Sequence, residues 1–383
     1  MIDFTLPTEL VELRDLVSRF VGEQIVPVEQ ALDPMAPAIP ATDVAALQAK
    51  AREAGLWYFD APAEYGGCGL SSFESVVVWE AASHHRFCHP TIGAGAFGMN
   101  PPFVLFAGTP EQREKWVKPA IAEGWSTFNS IAEPSGGTDP ARAIKTTATR
   151  DGDTWVLNGT KMWATGADRS KFGVVYARAP EGISCFIVDM DRPGITVSPI
   201  HTIRDLNTTM MVLDNVVLPA DQIVGAPGKG MALATGWLQR GRLCYAARSI
   251  GVAEAALKIA VDWAKERETF GAKLATRQAI QFSIADSRVE LDAARWLTWH
   301  AAWKHDSGVD ARREVAMAKL NATETGFRVV DRMMQILGAM GMSRELPLEK
   351  WFRDLRVARV VEGSSEILRR QISRTEIGPA VND

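Results

Sequence analysis

The chain has 383 residues, of which 46% are hydrophobic and 23% are charged, and its formal net charge is −4. This composition is typical of a globular protein of two or three domains, and the slight acidity without a basic block argues against nucleic-acid binding. No apolar run reaches the roughly 18 residues that a membrane span requires, and the first residues carry no charged-then-apolar leader. The cysteines are far apart, so we expect free thiols and a cytoplasmic location; they are Cys68, Cys88, Cys185 and Cys244.

Helical periodicity dominates residues 1–123. Leu10, Leu13, Leu16, Val17 and Phe20 recur at three- and four-residue spacing, and Thr8 just before them is the expected helix cap. A glycine-rich loop at 65–70 precedes a further helix, which we expect to begin near Ser71 or Ser72. The pattern predicts an all-α N-terminal domain.

Residues 124–230 change to a strand pattern. Asp151-Gly152 lies between two β-rich runs and predicts a hairpin, and Asn158-Gly159 predicts another turn. Further β-rich segments lie at 172–177, 184–189 and 210–218. This region is therefore a predicted middle β domain, which ends in a glycine-rich linker at 225–230.

Helical periodicity returns over residues 231–383. Two long, alanine-rich segments, 246–267 and 312–337, are predicted helices, and helices of this length usually pack into a bundle. The order along the chain is α, then β, then α, which defines an α+β multidomain protein.

Two motifs of the middle region could hold a flat ring or a phosphate. Residues 129–139 read as a strand, a proline turn, small residues and the hydroxyl of Thr138, so the backbone amides there are either a ligand cradle or a plain loop. At 161–165, Trp163 and Thr165 could flank a heterocycle, although an ordinary strand tryptophan is the commoner case.

Two motifs of the last region lie at helix ends. Residues 265–271 read as a helix that terminates at a glycine, where Arg267 either pairs with a phosphate or is simply solvated. Residues 335–341 read as a helix end with two glycines, which lets another group approach the backbone.

The most informative segment is 359–369. It places one carboxylate, Glu362, after a mainly apolar approach and before a Gly-Ser-Ser turn. Desolvation raises the pKa of such a carboxylate, which suits a base that removes a weakly acidic C–H proton. By itself the segment could equally be a helix that ends and restarts.

Taken together, these five segments resemble the acyl-CoA dehydrogenase family over essentially the whole chain. The family motifs T-E-P-G-x-G-S-D, K-x-W-I-T, R-x-x-F-G, Q-I-L-G-G-x-G and Y-E-G-T-x-x-I match in this order. The resemblance implies a helical N-terminal domain, a middle β-barrel-like domain and a C-terminal four-helix bundle. It also implies an FAD enzyme that converts an acyl-CoA thioester into the 2,3-enoyl-CoA.

The resemblance assigns the central role to Glu362, which matches the base that takes the α-proton while flavin N5 accepts the β-hydride. Some family members carry the base on a helix, immediately before an arginine that matches Arg242. That position is Gly241 here, which cannot serve, so the assignment to Glu362 is sharpened.

The resemblance also assigns binding residues. Those expected to line the flavin are Asn129, Ile131, Ala132, Thr138, Trp163, Ala164 and Thr165. Those expected to reach the FAD of a neighbouring subunit, or its adenosine diphosphate part, are Arg267, Thr269, Phe270, Gln278, Gln335, Gly338, Ala339, Ser364 and Glu366. Thr138 and Arg242 are expected along the CoA, and the Gly363 amide near the thioester carbonyl.

Four positions depart from the family pattern. Ala132 stands where a hydroxyl residue is usual, which removes a donor to the flavin and puts its tuning in doubt, unless a backbone amide or water substitutes. Asn129 and Val361 stand where tyrosines are frequent, and Ala339 replaces a glycine.

Several alternatives stay open on the sequence. The same scaffold can act as an acyl-CoA oxidase or a flavin monooxygenase, or as a non-catalytic chain of a heteromeric dehydrogenase. The leading interpretation is a homotetramer (or dimer) that passes electrons to an electron-transfer flavoprotein. Bulky residues in the expected acyl-pocket regions, namely Phe97, Met99, Phe103 and Trp237, favour a short, branched or cyclic acyl group.

Other features are given little weight. His84, His85 and His89 have no companion ligands, so we expect no metal site. The 225–230 loop lacks the hydroxyl residue of a phosphate loop, because Met231 stands there. Trp296, Trp299 and Trp303 share a helix face and are expected to pack in a core or a subunit contact.

Overall fold

The computed structural model describes residues 4–206 and 208–378. The α-helices are α1 (Thr8–Phe20), α2 (Val26–Gln30), α3 (Ala41–Glu53), α4 (Ser72–Ala81), α5 (Pro110–Gln112), α6 (Lys118–Glu123), α7 (Pro140–Ala143), α8 (Gly230–Glu266), α9 (Gln278–Asp306), α10 (Arg312–Leu337), α11 (Leu348–Ala358) and α12 (Ser365–Ile377). The strands are β1 (Thr127–Ser130), β2 (Thr147–Asp151), β3 (Thr154–Met162), β4 (Phe172–Ala179), β5 (Gly182–Asp189), β6 (Ile195–Ile200), β7 (Thr208–Pro219), β8 (Ile223–Val224), β9 (Glu268–Thr269) and β10 (Ala272–Lys273).

Shorter helical turns connect these elements. Those of π type are Val21–Ile25 and Arg113–Val117, and those of 3-10 type are Ala63–Tyr65, Ile92–Gly95, Phe103–Ala107, Ala220–Gln222, Leu274–Thr276 and Gly338–Met342. No helix in the described ranges combines the length and the apolar character that a membrane crossing needs.

The chain divides into two compact units. The first comprises the chain up to Leu56, Leu70–Phe97 and everything from Gln239 onward, and the second comprises Trp57–Gly69 and Gly98–Leu238. The predicted N-terminal helical region therefore contributes residues to both units, because its loop at 57–69 and its end beyond 97 group with the strands.

The first unit is helical. One core is formed by buried residues of α8, α9, α10 and α11, of which Ala256, Leu291, Val330 and Leu355 are examples. α12 packs along α10, so the last helix of the described chain is tied to the centre of this unit. Each of these helices buries one apolar face in this core, and that burial stabilises helices of such length.

The helix starts of the first unit follow from their caps, with one correction. α4 begins at Ser72, within the predicted start near Ser71 or Ser72, and Ser71 caps it through a capping box with Glu74. Thr8 was the predicted cap of α1, which is wrong, because Thr8 is the first helical residue and Pro7 holds the cap position at φ −53° and ψ 142°. Proline adopts this extended conformation readily and lacks only a backbone N–H.

The second unit is built on an eight-stranded sheet. Its order is β6-β7-β3-β2-β4-β5-β8, and β1 pairs in parallel with β4 beside this path. The hairpin at Asp151-Gly152 is confirmed, since β2 and β3 pair antiparallel up to Asp151 and Thr154. The predicted β-rich segments 172–177, 184–189 and 210–218 are all strands, each a little longer than expected.

The predicted turn at Asn158-Gly159 is wrong. β3 runs through these residues, and its pairing with β7 shifts register between Leu157 and Gly159. Gly159 has φ +152°, and a Cβ there would come within 2.5 Å of the Thr146 hydroxyl oxygen. The glycine therefore permits a β-bulge instead of ending the strand.

The region around Arg267 also differs from the prediction. The helix was expected to end at a glycine, but α8 ends at Glu266, and Phe270-Gly271 is the turn of a small antiparallel hairpin formed by β9 and β10. Both turn residues have positive φ, +49° and +72° respectively. The glycine thus serves a hairpin turn and not a helix end.

Candidate active site

The turn between α11 and α12 presents Glu362. Both Glu362 and Gly363 are in the left-handed region, with φ +55° and +97°. This conformation costs a non-glycine residue about 1–2 kcal/mol, so the surroundings must hold it. Arg242 of α8 donates from Nε to the Glu362 carbonyl oxygen at 2.9 Å, and Lys319 of α10 donates from Nζ to the Gly363 carbonyl oxygen at 2.9 Å. Two cations from two helices therefore hold two successive carbonyls.

Further hydrogen bonds tie this turn to its neighbours. Arg242 also donates from Nη1 to Oε1 of Gln371 at 3.0 Å, on α12. Glu324 of α10 accepts a hydrogen bond from the Ser365 hydroxyl at 2.5 Å and pairs with Arg359 at 2.9 Å. The turn that carries Glu362 is thus fixed to α8, α10 and α12 within the first unit.

The Glu362 carboxylate lies against Gly241. A Cβ built at Gly241 would come within 2.9 Å of Oε2 and 3.0 Å of the carboxyl carbon of Glu362. The glycine of α8 therefore leaves the space that the carboxylate fills. The resemblance places the family's base at either position 241 or position 362, and these two positions are in contact in the folded chain.

The charge state of Glu362 reflects this environment. Its Oε2 is buried and has no hydrogen-bond partner among residues 4–206 and 208–378. Burial raises the pKa of Glu362 to about 7, against the opposing pull of the positive charges of Lys319, Arg242 and Arg240. A carboxyl group with a pKa near neutrality and a free oxygen atom has the properties of a general base.

Lys319 is a functional candidate that sequence reasoning missed. It has no exposed surface, and burial lowers its pKa to about 7 despite the nearby Glu362 carboxylate. A signal was available, because Lys319 falls on the same helical face as Val315, Ala322 and Val330, where an apolar residue is expected.

The flavin residues predicted in the middle region come together within the second unit. The Met162 amide donates to the Ala132 carbonyl at 3.0 Å, which places residues 129–132 beside the end of β3 and hence beside Trp163. Trp163 has φ +66° and is half exposed. A Cβ added to Gly137 would lie 3.3 Å from that of Ala132, so the small residues after the proline turn fold back on this segment.

Hydrogen bonds to β7 fix the residues that follow Trp163. The Ala164 amide donates to the Thr209 carbonyl at 3.1 Å, and the Thr209 hydroxyl donates to the Ala164 carbonyl at 2.6 Å. The hydroxyls of Thr165 and Thr208 lie 3.1 Å apart. An exposed indole face thus stands on a rigid strand end beside a hydroxyl, which suits a flat heterocycle.

Asn129 and Glu133 complete this picture. Oδ1 of Asn129, in β1, is buried, and nothing in the described part of the chain donates a hydrogen bond to it. Glu133 lies inside the segment 129–138 that was expected to line the flavin, but it was given no role of its own. It forms a buried ion pair with Lys161 at 2.8 Å and accepts hydrogen bonds from the amides of Lys145 and Thr146 at 2.7 and 3.0 Å. Burial alone would raise the pKa of Glu133, but these hydrogen bonds lower it, so the pair is ionised and braces the predicted cradle. Thr138 is exposed beyond this brace.

The residues predicted to reach a neighbouring subunit lie on the surface of the first unit. Phe270 is fully exposed at the tip of the β9–β10 hairpin, between Arg267 and the start of α9. Accessible positions of this predicted set are Arg267, Gln278, Gln335, Gly338, Ala339 and Glu366, while Thr269 and Ser364 are half-buried. Nothing within the described chain covers Phe270 itself.

Comparison with known proteins decides the family. The models of the acyl-CoA dehydrogenase N-terminal, middle and C-terminal domains match residues 7–124, 129–216 and 228–377. The chain belongs to the acyl-CoA dehydrogenase family. The predicted fold class is confirmed as the family's arrangement of a helical N-terminal domain, a middle sheet domain and a helical C-terminal domain.

Relatives of this acyl-CoA dehydrogenase match it over nearly its whole length. The mitochondrial short-chain specific acyl-CoA dehydrogenase of Bos taurus is 36% identical over 377 residues, which cover 95% of this chain and 89% of the bovine protein. Butyryl-CoA dehydrogenase from Megasphaera elsdenii superposes with a TM-score of 0.87 at 26% identity, covering 98% of this chain and 100% of that one. A chain from a study of the electron transferring flavoprotein of Acidaminococcus fermentans superposes with a TM-score of 0.87 at 29% identity, with 98% and 100% coverage.

The predicted activity is confirmed at the level of the family. This acyl-CoA dehydrogenase is an oxidoreductase that uses FAD to dehydrogenate acyl-CoA thioesters. The half-exposed Trp163, the neighbouring Thr165 and Oδ1 of Asn129, which has no hydrogen-bond partner among the described residues, fit a flavin ring in the second unit.

Proposed function

We propose that Glu362 is the base that removes the α-proton of the acyl-CoA substrate. The observation that carries this assignment is its buried Oε2, to which no described residue forms a hydrogen bond, on a turn held by Arg242 and Lys319. Because the pKa of Glu362 is raised to about 7, the ionised carboxylate binds a proton more strongly than an ordinary glutamate does. A thioester α-proton is weakly acidic, so this added basicity favours its removal.

We propose that the Gly363 amide polarises the thioester carbonyl. The carbonyl of the same peptide group belongs to Glu362 and accepts the hydrogen bond from Arg242 Nε. A cation on the carbonyl end of a peptide makes its N–H a stronger donor. Arg242 would then help to stabilise the negative charge that develops on the substrate oxygen as the α-proton leaves.

We propose that residues of the second unit hold the flavin of FAD. Within the second unit, Asn129, Ile131, Ala132, Trp163, Ala164 and Thr165 would line the flavin, and Thr138 would lie near the flavin and the CoA. Bound FAD supplies the two-electron oxidation and takes the hydrogen that leaves the β-carbon. Because Ala132 has no hydroxyl, Thr165 would be the hydroxyl residue beside the ring.

We propose a homotetramer in which a second copy covers the hairpin of β9 and β10. Phe270 is fully exposed at the tip of this hairpin, and a second copy that covered it would bury its apolar ring. The set Arg267, Thr269, Phe270, Gln278, Gln335, Gly338, Ala339, Ser364 and Glu366 would then reach a neighbouring FAD. Trp296 and Trp303 lie seven residues apart on α9 and are both about half exposed, which favours the subunit contact over the core that the sequence left open.

We propose a short, branched or cyclic acyl group as the substrate, electron-transfer flavoprotein as the electron acceptor and the cytoplasm as the location. The names of the short-chain and butyryl relatives support the first. Within the second unit, Met99, Phe103 and Trp237 are partly buried bulky residues that suit a small pocket, whereas Phe97 is buried against Phe20 in the first unit. The free thiols support a reducing compartment. The proposed domain limits remain 1–123, 124–230 and 231–383.

The experiment is anaerobic mixing of the holoenzyme with short, branched, cyclic and long acyl-CoAs while the visible flavin absorbance is followed. Bleaching by one class identifies the substrate class, and a preference for long straight chains would contradict the small pocket. Glu362→Gln keeps the side-chain shape but lacks the base, so it should bind FAD and acyl-CoA and lose most of the bleaching. Near-normal bleaching in this variant would refute the assignment. Oxygen or an electron-transfer flavoprotein is then added to the reduced enzyme. Reoxidation of the flavin by oxygen indicates an oxidase, and reoxidation by the flavoprotein indicates a dehydrogenase.

A further inference from the structure

The first unit contains a buried lysine with an unusual partner. Lys161 and Lys350 are also buried, and each pairs with a carboxylate at 2.8 Å, Glu133 and Asp354 respectively. Lys319 has no exposed surface, yet among the described residues its hydrogen bond goes to the carbonyl of Gly363 and not to a carboxylate. A buried ammonium without a paired carboxylate is costly, so its presence calls for a role.

The contact of Lys319 falls on the turn that bears the base. The accepting oxygen belongs to Gly363, directly after Glu362, and both residues are in the left-handed region. Arg242 holds the preceding carbonyl. Loss of the Lys319 hydrogen bond would leave the Gly363 carbonyl without the donor that holds it.

The charges around Lys319 come from four elements. Glu362 raises its pKa most among the neighbouring charges, Arg242 of α8 lowers it, and Glu324 of α10 and Glu366 of α12 raise it further. Burial outweighs the acidic neighbours, so the pKa of Lys319 is lowered to about 7. Conversely, Lys319 is the first among the cations that lower the pKa of Glu362, ahead of Arg242 and Arg240.

We propose that Lys319 is a positioning residue for the base: it fixes the Glu362–Gly363 turn through the Gly363 carbonyl and supplies the positive charge that favours the ionised carboxylate. This inference rests on the proposed role of Glu362. Lys319 itself need not touch the substrate. Its two contributions, the hydrogen bond and the charge, are separable by substitution.

The test measures the rate of anaerobic flavin reduction in the holoenzyme over a series of pH values around 7. The substrate is the acyl-CoA that bleaches the flavin of the unmodified enzyme. Lys319→Met removes the donor and the charge, so the midpoint of the acid limb should rise by about one pH unit and the plateau rate should fall about tenfold. Lys319→Gln retains an N–H donor for Gly363 without the charge. It should show the same rise in midpoint with a plateau closer to that of the unmodified enzyme.

Two parallel variants separate the outcomes. Lys350→Met also removes a buried lysine, so it should lower thermal stability and leave the midpoint in place; an equal shift there would mean a nonspecific effect and overturn the proposal. If Lys319→Met keeps the midpoint and the rate of the unmodified enzyme, the proposal is also overturned. If Lys319→Met loses FAD and cannot be assayed, Lys319→Gln decides, and an unchanged midpoint in that variant overturns the proposal. Full bleaching by Glu362→Gln would instead refute the assignment of the base.

Discussion

The contact between Gly241 and Glu362 makes Gly241→Ala a sharp test of where the base lies. A Cβ at this position would be 2.9 Å from Oε2 of Glu362, whereas ordinary contacts begin at 3.4 Å, so the carboxylate must move by about 0.5 Å. A misplacement of about 1 Å costs a catalytic group roughly 100-fold in rate, so half of that distance should cost roughly tenfold. Alanine is otherwise the better helix former in α8, so the fold should be retained.

The assay is the rate of anaerobic flavin reduction by a saturating acyl-CoA, with FAD content and thermal stability measured on the same preparation. Gly236→Ala is the matched control, because Gly236 lies on the same helix and an added Cβ there would meet nothing within 4 Å. The control should raise stability by up to about 1 kcal/mol and leave the rate unchanged. If Gly241→Ala reduces its flavin as fast as the control does, Glu362 does not act from the position described.

Three further predictions concern stability and assembly. Glu362→Gln should match the unmodified enzyme in stability near pH 5 and exceed it by up to about 3 kcal/mol near pH 8. The reason is that the raised pKa of Glu362 makes ionisation of the buried carboxyl cost stability as pH rises from about 5 through 7. Thermal melts in which the two proteins differ in stability by the same amount at both pH values would contradict this. Lys161→Met should cost about 3–5 kcal/mol and weaken FAD retention, since Glu133 is left buried and unpaired, whereas the exposed Lys118→Met should cost less than about 1 kcal/mol in the same denaturation assay. Phe270→Ser should leave the subunit folded and shift sedimentation toward smaller species, and unchanged assembly would place the subunit contact elsewhere.

The sequence predicted elements well where the signal was local. The bounds of α10 and the hairpin at Asp151-Gly152 follow from helical periodicity and from a turn dipeptide. Asn158-Gly159 carries the same kind of dipeptide but lies inside β3, because pairing with β7 and the nearby Thr146 decide its conformation. The turn preference of this dipeptide is outweighed by pairing between the two strands, and the sequence pattern does not show which strands pair.

The site shows the same division. Glu362 was predicted from a motif and an apolar context, and burial does raise its pKa. Lys319 was not predicted, and Arg242 was predicted along the CoA and not as a donor to the Glu362 carbonyl. The two precede Glu362 by 43 and 120 positions, and only helix packing brings them to the turn. Glu133 was passed over for a similar reason, since its partner Lys161 lies on another strand. Long-range charge pairs leave no trace in local spacing.

The support of the Glu362 turn has a consequence for the order in which the enzyme matures. The carboxylate is near the end of the chain, and the hydrogen bonds that aim it come from α8 and α10, which are synthesised earlier. A partly made or partly folded chain that has its sheet and most of its helices can therefore still lack the contacts that aim Glu362, the proposed base. Detachment of α12 removes one of these contacts, that of Arg242 with Gln371, so we expect local opening there to lower reactivity toward thioesters without global unfolding.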